Sequence, residues 1–337
     1  MQKQAFETYQ LWLSSPLSDP DLKAELEQIS GDEAAIEDRF YRDLEFGTGG
    51  LRGVIGAGTN RLNVHTVARA TQGYCNYLHK KFTNPCVAIA YDSRIKSTLF
   101  AQTAASVFAA NGVLVHLYSE LMPTPALSYA VRALSCNGGI VVTASHNPAK
   151  YNGYKVYGED GCQITPEAAK SILSEISCVD IFRDVRTMDF EQGVREGKIL
   201  YIPDQLTADY LNRVSKEAFQ PEGIDKNVAI VYTPLNGAGL HCVTRILKEN
   251  GYTNISVVKE QEEPDGNFPT CPYPNPEIRE ALALGLSYCQ KLGADLLLAN
   301  DPDCDRVGTA VRDGDRYRLI SGNEMGVLLF DYICQMR

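Results

Sequence analysis

The chain has 337 residues, 44% hydrophobic and 22% charged, the balance of a folded protein with two or three domains. Its formal net charge of −10 disfavours nonspecific binding to nucleic acid or an anionic membrane, although a local basic pocket for a small anion remains compatible with it. There is no run of about 18 apolar residues to span a membrane, and Met1–Phe6 has no apolar signal core. The ten cysteines, Cys75, Cys86, Cys136, Cys162, Cys178, Cys242, Cys271, Cys289, Cys304 and Cys334, are scattered. With no CxxC pair and no Cys/His run at zinc spacing, they are expected to be reduced and mostly buried in a cytoplasmic protein.

Residues 5–45 read as helical, because Trp12, Leu13, Leu22, Leu26, Ile29, Ile36, Phe40 and Leu44 recur at three- and four-residue spacings. Pro16 and Pro20 divide the stretch into at least two helices. A glycine-rich turn follows at Phe46–Gly53. Strands are predicted over 87–91, 113–117 and 139–143, with helices over 99–111 and 126–134 between them. The polar segment 180–205, with Gly193 and Gly197, suits an inter-domain link. A second run places strands over 228–232, 255–258 and 295–299 and helices over 240–250 and 277–292. A final helix over 326–336 meets no stop signal. The alternation predicts an α/β fold: two consecutive layered domains with mixed, mostly parallel sheets. The expected division is a helical extension over 1–45, domains over 46–200 and 201–318, and the start of a third over 319–337.

Three loops carry chemistry. Thr143-Ala144-Ser145-His146-Asn147-Pro148 follows an apolar strand, at the sheet edge where open α/β folds bind ligands. Ser145 is expected to be exposed there, beside His146 as a possible acid or base. An ordinary polar loop is the plainer alternative, and a triad hydrolase is disfavoured because GxSxG is absent. Asp301-Pro302-Asp303-Cys304-Asp305-Arg306 follows the next apolar strand. In an extended loop, alternate carboxylates face one side and repel one another unless a cation joins them. An all-oxygen set suits Mg²⁺ before Ca²⁺ and not zinc. The plainer alternative is a solvated acidic turn. An EF-hand is rejected, because Arg306 and Arg312 stand where it needs Gly and Glu. Arg306 would meet an anion approaching the ion. In the third loop, Gly49, Gly50 and Arg52 offer amides and a guanidinium to a phosphate. Neither GxGxxG nor GxxxxGK[ST] is present, so nucleotide binding is not indicated.

Together these loops resemble those of the α-D-phosphohexomutases, the phosphoglucomutase/phosphomannomutase family. The phosphoserine loop TASHNP stands at 143–148 and a metal loop, DPDCDR, at 301–306. FGTGGLRG at 46–53, Met122–Pro125, NGYK ending at Lys155, Thr233–Gly237 and Ser321–Glu324 extend the likeness. The resemblance implies a phosphohexomutase-type fold in which Ser145 carries a phosphoryl group. One Mg²⁺ per chain would be held by Ser145, Asp301, Asp303 and Asp305. Lys155 would be the general acid/base, its pKa lowered by burial or by neighbouring cations. Arg52 and His146 would support the phosphoserine, and Arg306, Gly49, Gly50 and Asn147 would bind the substrate or its phosphate.

The implied reaction interconverts hexose 1- and 6-phosphates through a bisphosphorylated sugar, with glucose 1,6-bisphosphate as activator and sugar phosphates as the partners. The start of the chain looks more like the phosphoglucomutase/phosphopentomutase branch. Phosphopentomutase and glucose-1,6-bisphosphate synthase are alternatives within the family, and a phosphohydrolase or a sugar-phosphate sensor are alternatives outside it. Intact Ser145 and three aspartates speak against the sensor. The family's third and fourth domains carry a sugar loop and a further phosphate loop that this sequence lacks. A truncated chain of weak or no mutase activity is therefore expected.

Overall fold

The computed structural model describes residues 3–219 and 223–336. Positions 1, 2, 220–222 and 337, which belong to the expected N-terminal extension, second domain and C-terminal segment, lie outside the described residues. In chain order the elements are α1 (Lys3–Ser14), α2 (Pro20–Gln28), α3 (Glu33–Phe40), β1 (Phe46–Gly47), β2 (Gly50–Val54), α4 (Val64–Lys81), β3 (Cys86–Tyr91), α5 (Ser97–Ala110), β4 (Leu114–Leu117), α6 (Thr124–Ala133), β5 (Gly138–Val142) and β6 (Tyr151–Gly158). They continue with α7 (Pro166–Ser177), α8 (Phe190–Arg195), β7 (Ile199–Tyr201), α9 (Asp204–Glu217), β8 (Ile230–Thr233), α10 (Leu240–Glu249), β9 (Ile255–Val257), α11 (Arg279–Leu292), β10 (Leu296–Asn300), β11 (Val307–Asp313), β12 (Arg316–Ile320) and α12 (Gly322–Met336).

The strands form two mixed sheets, β1-β2-β6-β5-β3-β4-β7 and β12-β11-β10-β8-β9. In the first, β5, β3, β4 and β7 run parallel, while β6, β2 and β1 add antiparallel. In the second, β10, β8 and β9 are parallel, and β11 and β12 add antiparallel. This is the layered α/β class expected from the alternation, with more antiparallel pairing than the pattern suggested. β6 lacks hydrophobic alternation because Asn152 and Gly153 sit in it, yet Asn152, Gly153 and Tyr154 are buried between neighbouring strands. No helix among the described residues is long and apolar enough to cross a membrane.

The segment 180–205 is not a free link. Ile199 is buried at 1% exposure and β7 pairs in parallel with β4, extending the first sheet. Phe190 and Val194 of α8 pack on the same core, so a short apolar set inside polar sequence binds the segment down. The connection passes instead through Ile202 and α9. Leu206 and Leu211 of α9 share one apolar cluster with Met122 and Leu127 of the first unit and Cys242 of α10 in the second. Of the expected boundaries, 200 falls inside β7 and 318 inside β12.

The N-terminal stretch forms three helices. Asp19 accepts from the Asp21 amide and Pro20 stands at the first helical position, so α2 starts where its missing N–H costs nothing. These helices complete the first core and do not hang from it. Trp12 is fully buried, edge-on to Phe40 at 5.8 Å, His65 at 5.6 Å and Phe182 at 5.4 Å. Trp12→Ala therefore opens a cavity shared by α1, α3, α4 and the 180–205 segment. We expect it to destabilise the first unit by about 3–5 kcal/mol. Denaturant unfolding should show an unchanged midpoint if Trp12 merely rests on a separable extension.

Candidate active site

Both chemical loops leave the carboxyl ends of parallel strands, 143–148 from β5 and 301–306 from β10. They meet at Ser145, whose Oγ donates to Asp301 Oδ2 at 2.8 Å and lies 3.1 Å from His146 Nδ1. Ser145 is buried at 4% exposure, contrary to the exposed position expected, because the aspartate loop of the second unit closes over it. Its φ of 52° puts it in the left-handed region, which costs about 1–3 kcal/mol and is over-determined by its neighbours. The Ser145 amide donates to Thr143 Oγ1 at 2.8 Å, and its carbonyl accepts from Arg94 Nη2 at 2.6 Å.

The three aspartates converge, with one carboxylate oxygen from each of Asp301, Asp303 and Asp305 within 4.8 Å of the others. The mechanism is a tight turn and not an extended loop. Cys304 has φ 55°, and its amide donates to the Asp301 carbonyl at 2.9 Å. Asp301 Oδ1 accepts from the amides of Asp305 at 3.2 Å and Arg306 at 3.0 Å, which fold the turn around its own first carboxylate. Burial, then Asp303 and Asp305, push the Asp301 carboxyl up to about 8. Burial also opposes ionisation of Asp303, but Lys155, Asp301 and Thr124 together outweigh it and hold that carboxyl below its usual range. Asp303 Oδ1 is buried with no partner among the described residues. A buried carboxylate oxygen without a donor, beside two more carboxylates, is what a hard cation would complete, so the donor set fits Mg²⁺.

Lys155 lies on β6, opposite Gly50 on one side and Val141 on the other. Its Nζ reaches Asp303 Oδ2 at 2.7 Å and Asp305 Oδ2 at 3.2 Å. Burial favours the neutral amine, but Asp303 and Asp305 together win and the pKa is raised, the opposite of the expected direction. The expectation counted burial and overlooked that the same aspartates are the ammonium's partners. His146 goes the other way: burial, then Arg306 and Arg52, hold its imidazole below the usual range, so it is neutral at neutral pH.

The remaining expected residues form a looser rim. Arg52 Nη1 lies 3.5 Å from Asn147 Oδ1, at the edge of the serine loop. Gly49 lies in the β1–β2 turn and Gly50 begins β2, and their small size answers a packing need. Gly50 has φ 135°, and a Cβ there would stand 1.9 Å from the Tyr154 carbonyl oxygen. Arg306 turns its guanidinium away from the carboxylates to pair with Glu277 at 3.0 Å. Its backbone serves the turn: the amide donates to Asp301 Oδ1 and the carbonyl accepts from Asn300 Nδ2 at 2.7 Å.

Sequence reasoning missed Asp92, Arg94 and Thr124. The Arg94 side chain is fully buried under the serine loop. Its Nη1 donates to the carbonyls of Pro148 at 3.1 Å and Tyr151 at 2.9 Å, and its Nη2 to those of Ser145 and Asn147. Asp92 accepts from the Arg94 amide at 3.0 Å, Ser97 Oγ at 2.9 Å and Thr143 Oγ1 at 2.6 Å. Thr124 opens α6 and ties down the metal loop: its Oγ1 donates to Asp303 Oδ2 at 3.0 Å and its amide to the Asp303 carbonyl at 2.9 Å. A signal existed: Asp92-Ser93-Arg94 follows the apolar strand β3 as the serine loop follows β5.

Comparison with known proteins bears on the two α/β units. The family models "Phosphoglucomutase/phosphomannomutase, alpha/beta/alpha domain I" and "domain II" match residues 43–180 and 208–314, together more than half of the chain. A phosphoglucomutase of Staphylococcus saprophyticus is 40% identical over 291 residues, covering 86% of this chain and 52% of that protein. A phosphopentomutase of Mus musculus is 35% identical over 331 residues, covering 94% of this chain and 53% of its own. A phosphoribomutase of Saccharomyces cerevisiae is 35% identical over 314 residues, covering 88% and 50%. The chain thus spans about half the length of the curated relatives it matches. A putative phosphomannomutase from Thermus thermophilus superposes with a TM-score of 0.72 at 25% identity, over 87% of this chain and 62% of that one. With both family domains matched in order, and their serine and aspartate loops meeting at Ser145, the chain belongs to the phosphoglucomutase/phosphomannomutase family.

Proposed function

We propose that this chain provides the phosphoryl-transfer centre of a sugar-phosphate mutase, with Ser145 carrying the phosphoryl group between positions of one sugar. The observation that carries the reading is the 2.8 Å contact of Ser145 Oγ with Asp301, which sets a nucleophilic hydroxyl against a cation-ready carboxylate cluster. Mg²⁺, held by Asp301, Asp303, Asp305 and the phosphorylated Ser145, would supply charge neutralisation to phosphoryl transfer, which needs positioning and electrostatics more than covalent help.

In the transfer from enzyme to sugar, a sugar hydroxyl attacks phosphorus, the Ser145 Oγ–P bond breaks and an O–P bond to the sugar forms. The hydroxyl proton must go to a base. Lys155 is the positioned candidate, and it accepts a proton only as the neutral amine. The aspartates hold it as an ammonium. Countering their charge leaves burial as the leading influence on Lys155, and burial favours the amine. In the reverse transfer Ser145 Oγ is the nucleophile, and neutral His146 at 3.1 Å is placed to accept its proton. Arg52 and Asn147 would steady the phosphoserine. Arg306, Gly49 and Gly50 remain proposed phosphate contacts for a bound substrate. Glucose 1,6-bisphosphate would prime Ser145. The names phosphoglucomutase, phosphoribomutase and phosphopentomutase among the relatives support hexose or pentose 1-phosphates as the substrate class.

Three outcomes test this. Incubated with glucose 1,6-bisphosphate and Mg²⁺, the wild-type chain should gain one phosphate at Ser145 by peptide mass spectrometry, and Ser145→Ala should gain none while keeping its circular dichroism. Phosphate mapped to any other residue defeats the assignment. Asp303→Asn should weaken Mg²⁺ binding in calorimetry by more than roughly tenfold, the loss that even outer-shell changes at metal sites can cause; an unchanged affinity removes Asp303 from the ligand set. Arg94→Lys replaces a planar fork that holds four carbonyls with a single ammonium. It should slow phosphate incorporation roughly a hundredfold through misplacement of Ser145, while Mg²⁺ affinity stays as in the wild type. Equal losses in both readouts would mean that Arg94 supports the whole site and not the serine loop.

A further inference from the structure

The sequence shows no zinc-ligand spacing, yet the fold gathers a second, chemically different ligand set at the other edge of the first sheet. Cys86 begins β3, His116 lies in β4 and Cys136 sits in the loop entering β5. One ligand atom from each lies within 4.8 Å of the other two. Ser145 follows the carboxyl end of β5, whereas Cys86 and Cys136 stand at the amino ends of β3 and β5, so the two sites are separated by the length of the sheet.

We propose that Cys86, His116 and Cys136 form a zinc site. Two thiols and an imidazole are a soft to borderline set, unlike the all-oxygen set at Asp301, Asp303 and Asp305. Ligand atoms around a tetrahedral Zn²⁺ stand about 3.5–3.8 Å apart, so small side-chain movements from the present separations enclose an ion. The backbone already frames the cluster. The Asn137 amide donates to the Cys86 carbonyl at 2.8 Å, and the Cys86 amide donates to Asn137 Oδ1 at 3.0 Å. These two bonds pin the loop that carries Cys136 across the start of β3, and Ser135 turns it with a φ of 53°.

Nothing stronger competes for the ligand atoms. Cys86 Sγ donates weakly to the Ser135 carbonyl at 3.6 Å, and its other thiol partner is Cys136 itself. Burial holds the His116 imidazole below its usual range, the neutral form that ligates metals. Cys136 is buried while Cys86 and His116 are half-buried, so the cluster can be reached from solvent. A bound ion would tie β3, β4 and the β5 approach together, a structural role distinct from the proposed chemistry at Ser145.

Co²⁺ serves as the probe, because thiolate-to-cobalt charge transfer and tetrahedral d–d absorption report ligand type and geometry. Reduced, metal-free protein should develop both bands, saturating at one equivalent of Co²⁺, and Zn²⁺ should then bleach them. The bands should persist in Asp303→Asn, which disables the carboxylate set. Cys86→Ser should lose at least half of the charge-transfer intensity, and His116→Ala should weaken binding at least tenfold. Because Cys136 is buried and its replacement risks the fold, the half-buried Cys86 carries the decision. Absence of a charge-transfer band in the wild type overturns the proposal. So does a full band in Cys86→Ser, which would point to the exposed Cys162, Cys178 or Cys334. A Cys86–Cys136 disulfide that survives reduction in the folded protein overturns it as well.

Discussion

The structure turns on a concentration of acidic groups that Lys155 alone does not balance. Asp301 and Asp303 are fully buried, with Asp305 beside them. Taking a carboxylate out of water costs several kcal/mol unless it is paired and hydrogen-bonded. Lys155 offsets one charge, Ser145, Thr124 and the turn amides donate to others, and Asp303 Oδ1 is still left without a partner. Such a cluster is stable in a fold only if the surrounding scaffold is rigid enough to forbid the aspartates from turning outward.

That rigidity comes from two places. The loop itself is closed by amides that bond back to Asp301, with Cys304 forced into the left-handed region. The units are then locked together around it. Thr124 bonds Asp303 through both backbone and side chain, Ser145 bonds Asp301, and Lys155 crosses from β6 to Asp303 and Asp305. Behind these polar contacts, Leu206, Leu211, Met122 and Cys242 form an apolar cluster that spans both units. A polar network at the front and an apolar one behind hold the serine loop against the aspartate loop. Neither unit contains the site by itself.

Much of this was legible in the sequence because chemistry sits where apolar strands stop. The loops at 143–148 and 301–306 stand out for that reason, as do the two α/β runs. What escaped were features set by tertiary partners. β6 breaks strand alternation with Asn152 and Gly153, which are acceptable only because Leu51, Arg52 and Gly53 close on it from β2. The 180–205 segment looks polar, yet Phe182, Phe190, Val194 and Ile199 anchor it to the first core, with Ile199 paired beside β4. Arg94 sits in an unremarked loop, and its value lies in four carbonyls contributed from fifty residues further on. The Cys86, His116 and Cys136 cluster draws on three separate elements, so no spacing rule could reveal it.

The direction of the Lys155 shift was the subtler miss, and it bears on how the site works. Without a cation, protons do the neutralising: Lys155 is held as an ammonium, and the Asp301 carboxyl, pushed up to about 8, retains its proton near neutrality. A divalent ion bound to the same oxygens would take over that role and so would expel protons, as metal binding to any protonated ligand set does. Cation affinity and the basicity of Lys155 are therefore two readings of one charge balance. In the proposed reaction the two would be coupled: the amine would become available as a base only where the carboxylates already had another counter-ion. Burial of the same group that pairs with the aspartates makes that exchange steep, because in a low-dielectric pocket an ammonium deprived of its partners has little solvent to fall back on.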